Sequence, residues 1–259
     1  MSSQLAKISK RALKLIKPTK NLFIKKVVVG VLYTGIELED NTTGVSFTLT
    51  DRSIDHEGYH RLLRKGFLSD KTLIELIEYC SSPYAILRSI GVAALNAYCQ
   101  AHINFSDASC NNIIEIFTPL PGMVVGMVGN VHPISSYLAK EGVSMRILDK
   151  FMPPTHINSI TQVYKVSDLN EVDIILISGS ALLFDNFDEI IHLLPYVSGK
   201  KVLVGPSAQI FPKLAFDLGF SAVGSSRIID SKLTMKIIQE GGGYKFFKNY
   251  TEKYVFLKE

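Results

Sequence analysis

Apolar residues at positions 5, 8, 12, 15 and 16 recur at helical spacing among Lys7, Lys10, Arg11 and Lys14, which predicts an amphipathic first helix. Its Lys face belongs in water and its apolar stripe against its own domain. Residues 26–33 (KVVVGVLY) read as a strand, residues 39–44 as a turn, and residues 45–50 (VSFTLT) as an alternating second strand, so a hairpin is expected. Ser69 is a candidate N-cap for a helix to about residue 80, and Pro83 opens a longer helix to about residue 102. Strands followed by helices make the first half α+β. Residues 104–121 are polar and irregular and end in a Pro- and Gly-rich run, which places a domain boundary between residues 1–118 and 119–259.

Beyond the boundary the pattern alternates. Strands are expected at 123–128, 144–148, 172–177, 201–204 and 221–223. Helices fall between or after them, at 134–141, from about 186, near 210–218 and at 231–240, the last ended by Gly241-Gly242-Gly243. Short apolar strands alternating with helices mean a parallel sheet covered on both faces, a Rossmann-like doubly wound α/β domain. With the common strand order 3-2-1-4-5, strands 123–128 and 201–204 would be neighbours where the order reverses.

Composition narrows the function classes. Of 259 residues, 47% are hydrophobic and 20% charged, and the net charge is +4, which excludes a disordered chain. No apolar run approaches the roughly 20 residues of a membrane span, and the N-terminus lacks an apolar signal core, so a cytoplasmic location is expected. The basic first helix offers an alternative as an arm for nucleic acid or anionic membrane. Without interleaved aromatics, a solvated Lys face is the preferred account, and neither partner is expected. Cys80, Cys99 and Cys110 show no C-x-x-C pairing and read as small buried hydrophobes.

Ligands of such sheets bind beyond the carboxyl ends of the strands, which directs attention to four loops. Gly129, Asn130 and His132 lie in a glycine turn leading to a helix start, where backbone N–H groups could meet an anion. His132 is also a candidate acid–base group or metal ligand, or simply a surface histidine. Asp149 follows about 20 residues later, where an acid could bind ribose hydroxyls or stay a solvated carboxylate. Ser178, Gly179 and Ser180, then Gly205, Pro206 and Ser207, end later strands, and Ser207 could cap the next helix. His56 and His60 are spaced as zinc ligands can be, but no H-E-x-x-H accompanies them. No high-affinity structural metal site is expected from unpaired cysteines and dispersed histidines.

Several short motifs together resemble the family named for heavy-metal chelation. They are Arg88-Ser89-Ile90-Gly91-Val92-Ala93-Ala94-Leu95-Asn96-Ala97, Val128-Gly129 before a Pro-containing helix start, Ile177-Ser178-Gly179-Ser180-Ala181-Leu182, Val204-Gly205-Pro206-Ser207, and Glu240-Gly241-Gly242-Gly243. The resemblance implies an enolase-N-terminal-like first domain, a Rossmann-like second domain and a site in the crevice between them, with Asn96 as the first domain's candidate to face it. The chain departs from the family's Thr-Gly-Thr-Thr-Leu-x-Asn-x-Thr loop at Ala181, Phe184 and Asn186. The leading expectation is a small-molecule-binding protein or enzyme acting on a metal-chelating or heterocyclic compound. A nicotinamide- or S-adenosylmethionine-dependent enzyme is the alternative, and homo-oligomerisation stays open.

Overall fold

The computed structural model describes residues 3–15, 22–50, 60, 66–110, 112–116, 120, 122–149, 152–153 and 157–259. The expectations for His56 and for a boundary at 118/119 lie outside the described residues.

The first half holds α1 (Ser3–Leu15), then β1 (Ile24–Val29), β2 (Tyr33–Leu38) and β3 (Thr43–Phe47) in an antiparallel sheet of that order. Three strands thus replace the expected two. Gly30 turns the chain inside the apolar run, its N–H donating to Tyr33 O at 3.0 Å. A Cβ there would stand 2.3 Å from Ile238 O, so only glycine fits. β2 is buried on nearly its whole length and shows no alternation, so periodicity does not mark it. α2 (Leu73–Ile77) starts at Thr72, not Ser69, through a capping box with Glu75. Ser69 lies in a preceding 3-10 turn.

α3 (Ala85–Gln100) is buried at all 16 positions. Its small residues admit β3 closely: a Cβ on Gly44 would lie 2.0 Å from Ala97 N and 2.3 Å from Ala93 O. The Ala-rich run in α3 is therefore the seat of a strand.

The second half contains β4 (Val124–Val128), α4 (His132–Lys140), β5 (Ser144–Leu148), β6 (Ile160–Val163), β7 (Ile174–Ser178) and a 3-10 turn (Gly179–Leu183). After these come α5 (Phe187–Leu193), β8 (Lys201–Val204), α6 (Pro212–Phe216), β9 (Ala222–Ile228), α7 (Ser231–Gln239), α8 (Tyr244–Phe247) and β10 (Thr251–Leu257). The sheet order is β10-β9-β8-β7-β4-β5-β6, parallel except for β10. Successive strand residues serve opposite cores. Ile174, Leu176 and Val202 join one cluster, and Ile175, Ile177 and Leu203 join the other. Both faces are therefore covered, as the continuous apolar strands imply.

The expected neighbours need correction. β4 is flanked by β5 and β7, not by β8, because β6 was missed and fills the outer place of the third strand. The chain runs outward from β4 through β5 and β6, then returns to continue from β7, so the order reverses between β4 and β7. The helix expected over 210–218 is short and starts at Pro212, with Phe211 before it. Ser207 is not its cap.

α1 buries Leu5, Ile8 and Ala12, and its charged face is exposed. It docks on the second half as well as the first: Gln4 N–H donates to Asp188 Oδ1 at 3.0 Å, and Arg11 pairs with Asp217 at 2.7 Å. One apolar cluster includes Leu5 and Ile90 together with Phe187 and Leu203, so the two halves share a core.

Candidate functional site

The carboxyl ends of β4, β7 and β8 bring three expected loops into contact. Gly129 leaves β4 in the left-handed region (φ +76°), and a Cβ on it would lie 2.9 Å from Ser178 Cβ and 3.8 Å from Ser180 Oγ. Ser178 Oγ and Ser180 Oγ are hydrogen-bonded at 3.0 Å. Gly205 leaves β8 with φ +115°, its Cβ position 3.9 Å from both Ser178 Oγ and Gly179 N. Gly179 in turn admits the next loop, because a Cβ there would be 2.3 Å from Ala208 N. Gly179 thus serves close approach of backbone to backbone, whereas Gly129 and Gly205 serve the positive φ of their turns.

Beside this cluster, Asp149 ends β5 and accepts a 2.7 Å hydrogen bond from Asn130 N–H. Asn130 Oδ1 accepts from Ser135 Oγ at 2.7 Å. The carboxylate thus fixes the glycine turn, and one of its oxygens is already committed. His132 opens α4, exposed, with Nδ1 3.1 Å from Ser136 Oγ. Gly129, Asn130, Asp149, Ser178, Ser180, Gly205 and Pro206 are all half-buried, so this rim is reachable by a small molecule.

Asn96, Gly179 and Ser207 behave differently, being buried. Asn96 Nδ2 donates to Val45 O at 2.8 Å and to Ser207 O at 3.0 Å, one partner in each half. Ser207 Oγ accepts from Phe47 N–H at 2.8 Å. Gln209 Oε1 accepts from Val45 N–H at 2.8 Å, and Ser89 Oγ from Leu49 N–H at 2.9 Å. The outer edge of β3, which would otherwise present unpaired backbone, is therefore satisfied by side chains from α3 and from the loop after β8. Ser207 serves this seam rather than a helix cap.

Sequence reasoning missed Gln209 and Gln100, although a polar amide within an apolar stretch was a readable signal. Gln209 Nε2 donates to Ser226 O at 2.7 Å, and Gln100 Nε2 to Gln209 O at 3.2 Å and Tyr254 Oη at 2.8 Å. The Oδ1 of Asn96 and the Oε1 of Gln100 are buried without a partner. Arg88 completes the seam: its Nε donates to Leu183 O at 3.0 Å, and its Nη2 meets Asp185 at 3.2 Å. Burial pushes the Cys99 thiol up to about 12 and raises Cys80 and Tyr254 as well, so none of these is a ready nucleophile. Among the described residues no group of three or more His, Cys, Asp or Glu side chains is placed to hold a metal ion. No helix among them is long and apolar enough to cross a membrane.

The chain is 27% identical to a protein of Methanocaldococcus jannaschii, named only as uncharacterised, over 97% of both chains. Two crystal structures share its fold, each described as a protein of unknown function. One, from Pyrococcus horikoshii, superposes with a TM-score of 0.76 at 22% identity and covers 98% of this chain and 100% of its own. The other, from Desulfitobacterium hafniense, gives 0.74 at 19% identity over 100% of both chains. Two family models match, over residues 13–99 and 112–257, and both carry the description "Putative heavy-metal chelation". With the second match alone covering more than half of the sequence, the chain belongs to this heavy-metal chelation family.

Proposed function

We propose that the chain binds a small metal-chelating or heterocyclic molecule at the carboxyl edge of its large sheet, where the strand order reverses between β4 and β7. The carrying observation is the convergence of Gly129, Ser178, Ser180 and Gly205 within contact distance, half-buried, at the start of α4. This is where open α/β sheets hold ligands. On this reading residues 119–259 form a Rossmann-like binding domain. Residues 1–118 form a smaller enolase-N-terminal-like domain whose β3 and Asn96 brace the loop after β8 from beneath. Asn96, Gly179 and Ser207 position the site, and Asn130, His132, Asp149, Ser178, Ser180 and Pro206 form its rim.

A metal in this scheme arrives with its chelator, and His132 is the exposed imidazole of the rim able to complete its coordination. The family description favours this class of ligand. A nicotinamide or S-adenosylmethionine cofactor is the second reading, favoured by Asp149 at the end of β5 beside the glycine turn. Asn130 N–H already holds one Asp149 oxygen, so a ribose hydroxyl would have to share this carboxylate with the glycine turn. The buried apolar stripe of α1 argues against insertion into a membrane.

The test is calorimetric titration with iron(III)- and nickel(II)-citrate, NAD and S-adenosylmethionine against the native chain and Ser180→Val. Saturable binding of a metal chelate, weakened about tenfold or more by Ser180→Val, supports the first reading. Saturable binding of NAD or S-adenosylmethionine, weakened by Asp149→Ala, supports the second. Binding of any of them that ignores both substitutions places the ligand elsewhere and overturns the site.

A further inference from the structure

Away from the strand reversal, the β2–β3 turn faces the end of β9 across a cleft of about 350 Å3. The turn is firmly held. Asn41 is left-handed (φ +64°), Thr42 N–H donates to the Asp40 carboxylate at 3.0 Å, and Thr43 Oγ1 donates to Ser231 Oγ at 2.8 Å. Arg227 stands on the opposite wall, exposed, with its guanidinium 4.7 Å over the Phe105 ring. A guanidinium held over a ring keeps N–H groups that can meet a carboxylate in the fork geometry peculiar to Arg.

Gln100 lines the same cleft and is only 6% exposed. Its amide orientation is determined, because Nε2 donates to Gln209 O, which can only accept. Tyr254 Oη takes the other N–H. That leaves Oε1 as the amide's one unpartnered atom, buried at the wall of the cleft. Folded proteins seldom leave such an acceptor unmet, and the expected complement is an N–H or ammonium group that enters from outside.

We propose that this cleft is a second binding site, separate from the loops at the β4/β7 reversal, for a small acidic amino-carboxylate. The ligand's ammonium group meets Gln100 Oε1 and its carboxylate meets Arg227. The volume suits one amino-acid-sized molecule, being at the lower end of small-ligand cavities. A larger cleft of about 580 Å3 adjoins it, sharing Asn41 and Ile229 as walls, and carries Lys25, Lys26 and Lys232. Lys25 is paired with Glu37 at 2.8 Å, and Lys26 donates to Gln239 at 2.9 Å. Lys232 is exposed at the second position of α7. Across the two clefts the cations Lys25, Lys26, Lys232 and Arg227 face the carboxylates of Asp40, Glu37 and Asp230, a small positive excess that favours an acidic over a basic side chain.

The experiment is titration of the full chain with L-glutamate, L-lysine and glutarate, followed by calorimetry and amide NMR. L-Glutamate should saturate and shift the amides of residues 40–43 and 227–229. Glutarate, which lacks the ammonium, and L-lysine should each bind about tenfold more weakly or worse. Arg227→Met lies at the surface and should leave the fold intact while weakening L-glutamate by a similar factor. Gln100→Met, checked for folding by its thermal melt, should equalise L-glutamate and glutarate. Ser180→Val should leave L-glutamate binding unchanged, which separates this site from the loops at the strand reversal. No saturation by L-glutamate at about 10 mM, equal binding of glutarate by the native chain, or indifference to Arg227→Met overturns the proposal.

Discussion

Asn96→Ala tests how the two halves are joined. In the native chain the Asn96 amide donates to Val45 O at 2.8 Å and Ser207 O at 3.0 Å, and the side chain is fully buried. Alanine strands both carbonyls, each at about 1–3 kcal/mol for a buried group left unpaired. It also removes the unpartnered Oδ1, which returns about 1 kcal/mol. The net expectation is about 1–5 kcal/mol of lost stability. For a chain of this size each kcal/mol lowers the melting temperature by about 2–4 °C, so a fall of about 2–20 °C should appear in calorimetry, with a lowered midpoint in urea unfolding followed by circular dichroism. Asn96→Asp is the sharper arm. An ionised carboxyl would face two carbonyl oxygens and lose both donors, so the loss at neutral pH should exceed that of alanine. Burial among acceptors raises the folded-state pKa of that carboxyl, so the folded state binds the proton more tightly than the unfolded chain. Stability of the Asp variant should therefore recover as pH falls below its folded pKa. An Asn96→Ala loss below about 0.5 kcal/mol, or an Asp variant no worse than alanine, would refute the clamp.

Gly44→Ala should cost at least about 3 kcal/mol or prevent soluble expression, since its Cβ would meet the backbone of Ala97 and Ala93 and no side chain can yield; a native-like urea midpoint would contradict this. Gly129→Ala should cost about 1–3 kcal/mol through its positive φ, with Ser178 Cβ adding a clash; an unchanged melting temperature would show that the turn relaxes. Ellman's reagent should titrate Cys110 in the folded chain and reach the buried Cys80 and Cys99 only after denaturation; fast reaction of all three would contradict their burial. Cys99, raised by burial from 9.0 to about 12, keeps its proton in the fold when the unfolded chain has released it. Stability should then fall as pH rises from about 9 towards 12, by about 1.4 kcal/mol per unit for such a group, and a flat stability profile across that window would refute it.

What was legible in the chain follows from where periodicity and burial agree. α1 was readable because one stripe, Leu5, Ile8 and Ala12, is buried while its lysines are not. β4, β7 and β8 were readable as apolar runs because each is buried on both faces of the large sheet. The same two-sided burial concealed β2, which follows Gly30 within what looked like one strand. β6 has four residues, ITQV, two of them polar, and lies at the sheet's outer position where burial demands least. Missing it moved the strand reversal by one place, because counting strands is what assigns neighbours in this architecture. β10 carries polar Thr251, Glu252 and Lys253 before its apolar end, an edge pattern that single-sequence reading passes over.

The candidate site was legible at its glycines and obscure at its amides, for one physical reason. Gly129 and Gly205 announce left-handed turns after apolar strands, and Ser178 and Ser180 announce a turn by composition alone. What a buried Asn or Gln does depends on which backbone is brought to it by distant parts of the chain. Asn96 meets Val45, 51 positions away, and Ser207, 111 away. Its lone polar group on an apolar helix predicted that partners must exist, and the structure supplies them from both halves at once. Ser207 shows the converse: its sequence neighbourhood suited a helix cap, but the open edge of β3 claimed its hydroxyl. An exposed strand edge competes for every nearby acceptor, and here that demand recruited the loop after β8 into the seam. The residues left facing outward, on the β4, β5 and β7 ends, are those whose hydrogen bonds stay local, such as Ser178 with Ser180 and His132 with Ser136. Local partners can be exchanged for a ligand without opening the core, whereas the partners of Asn96 and Ser207 cannot, and that difference separates the rim of the site from its foundation.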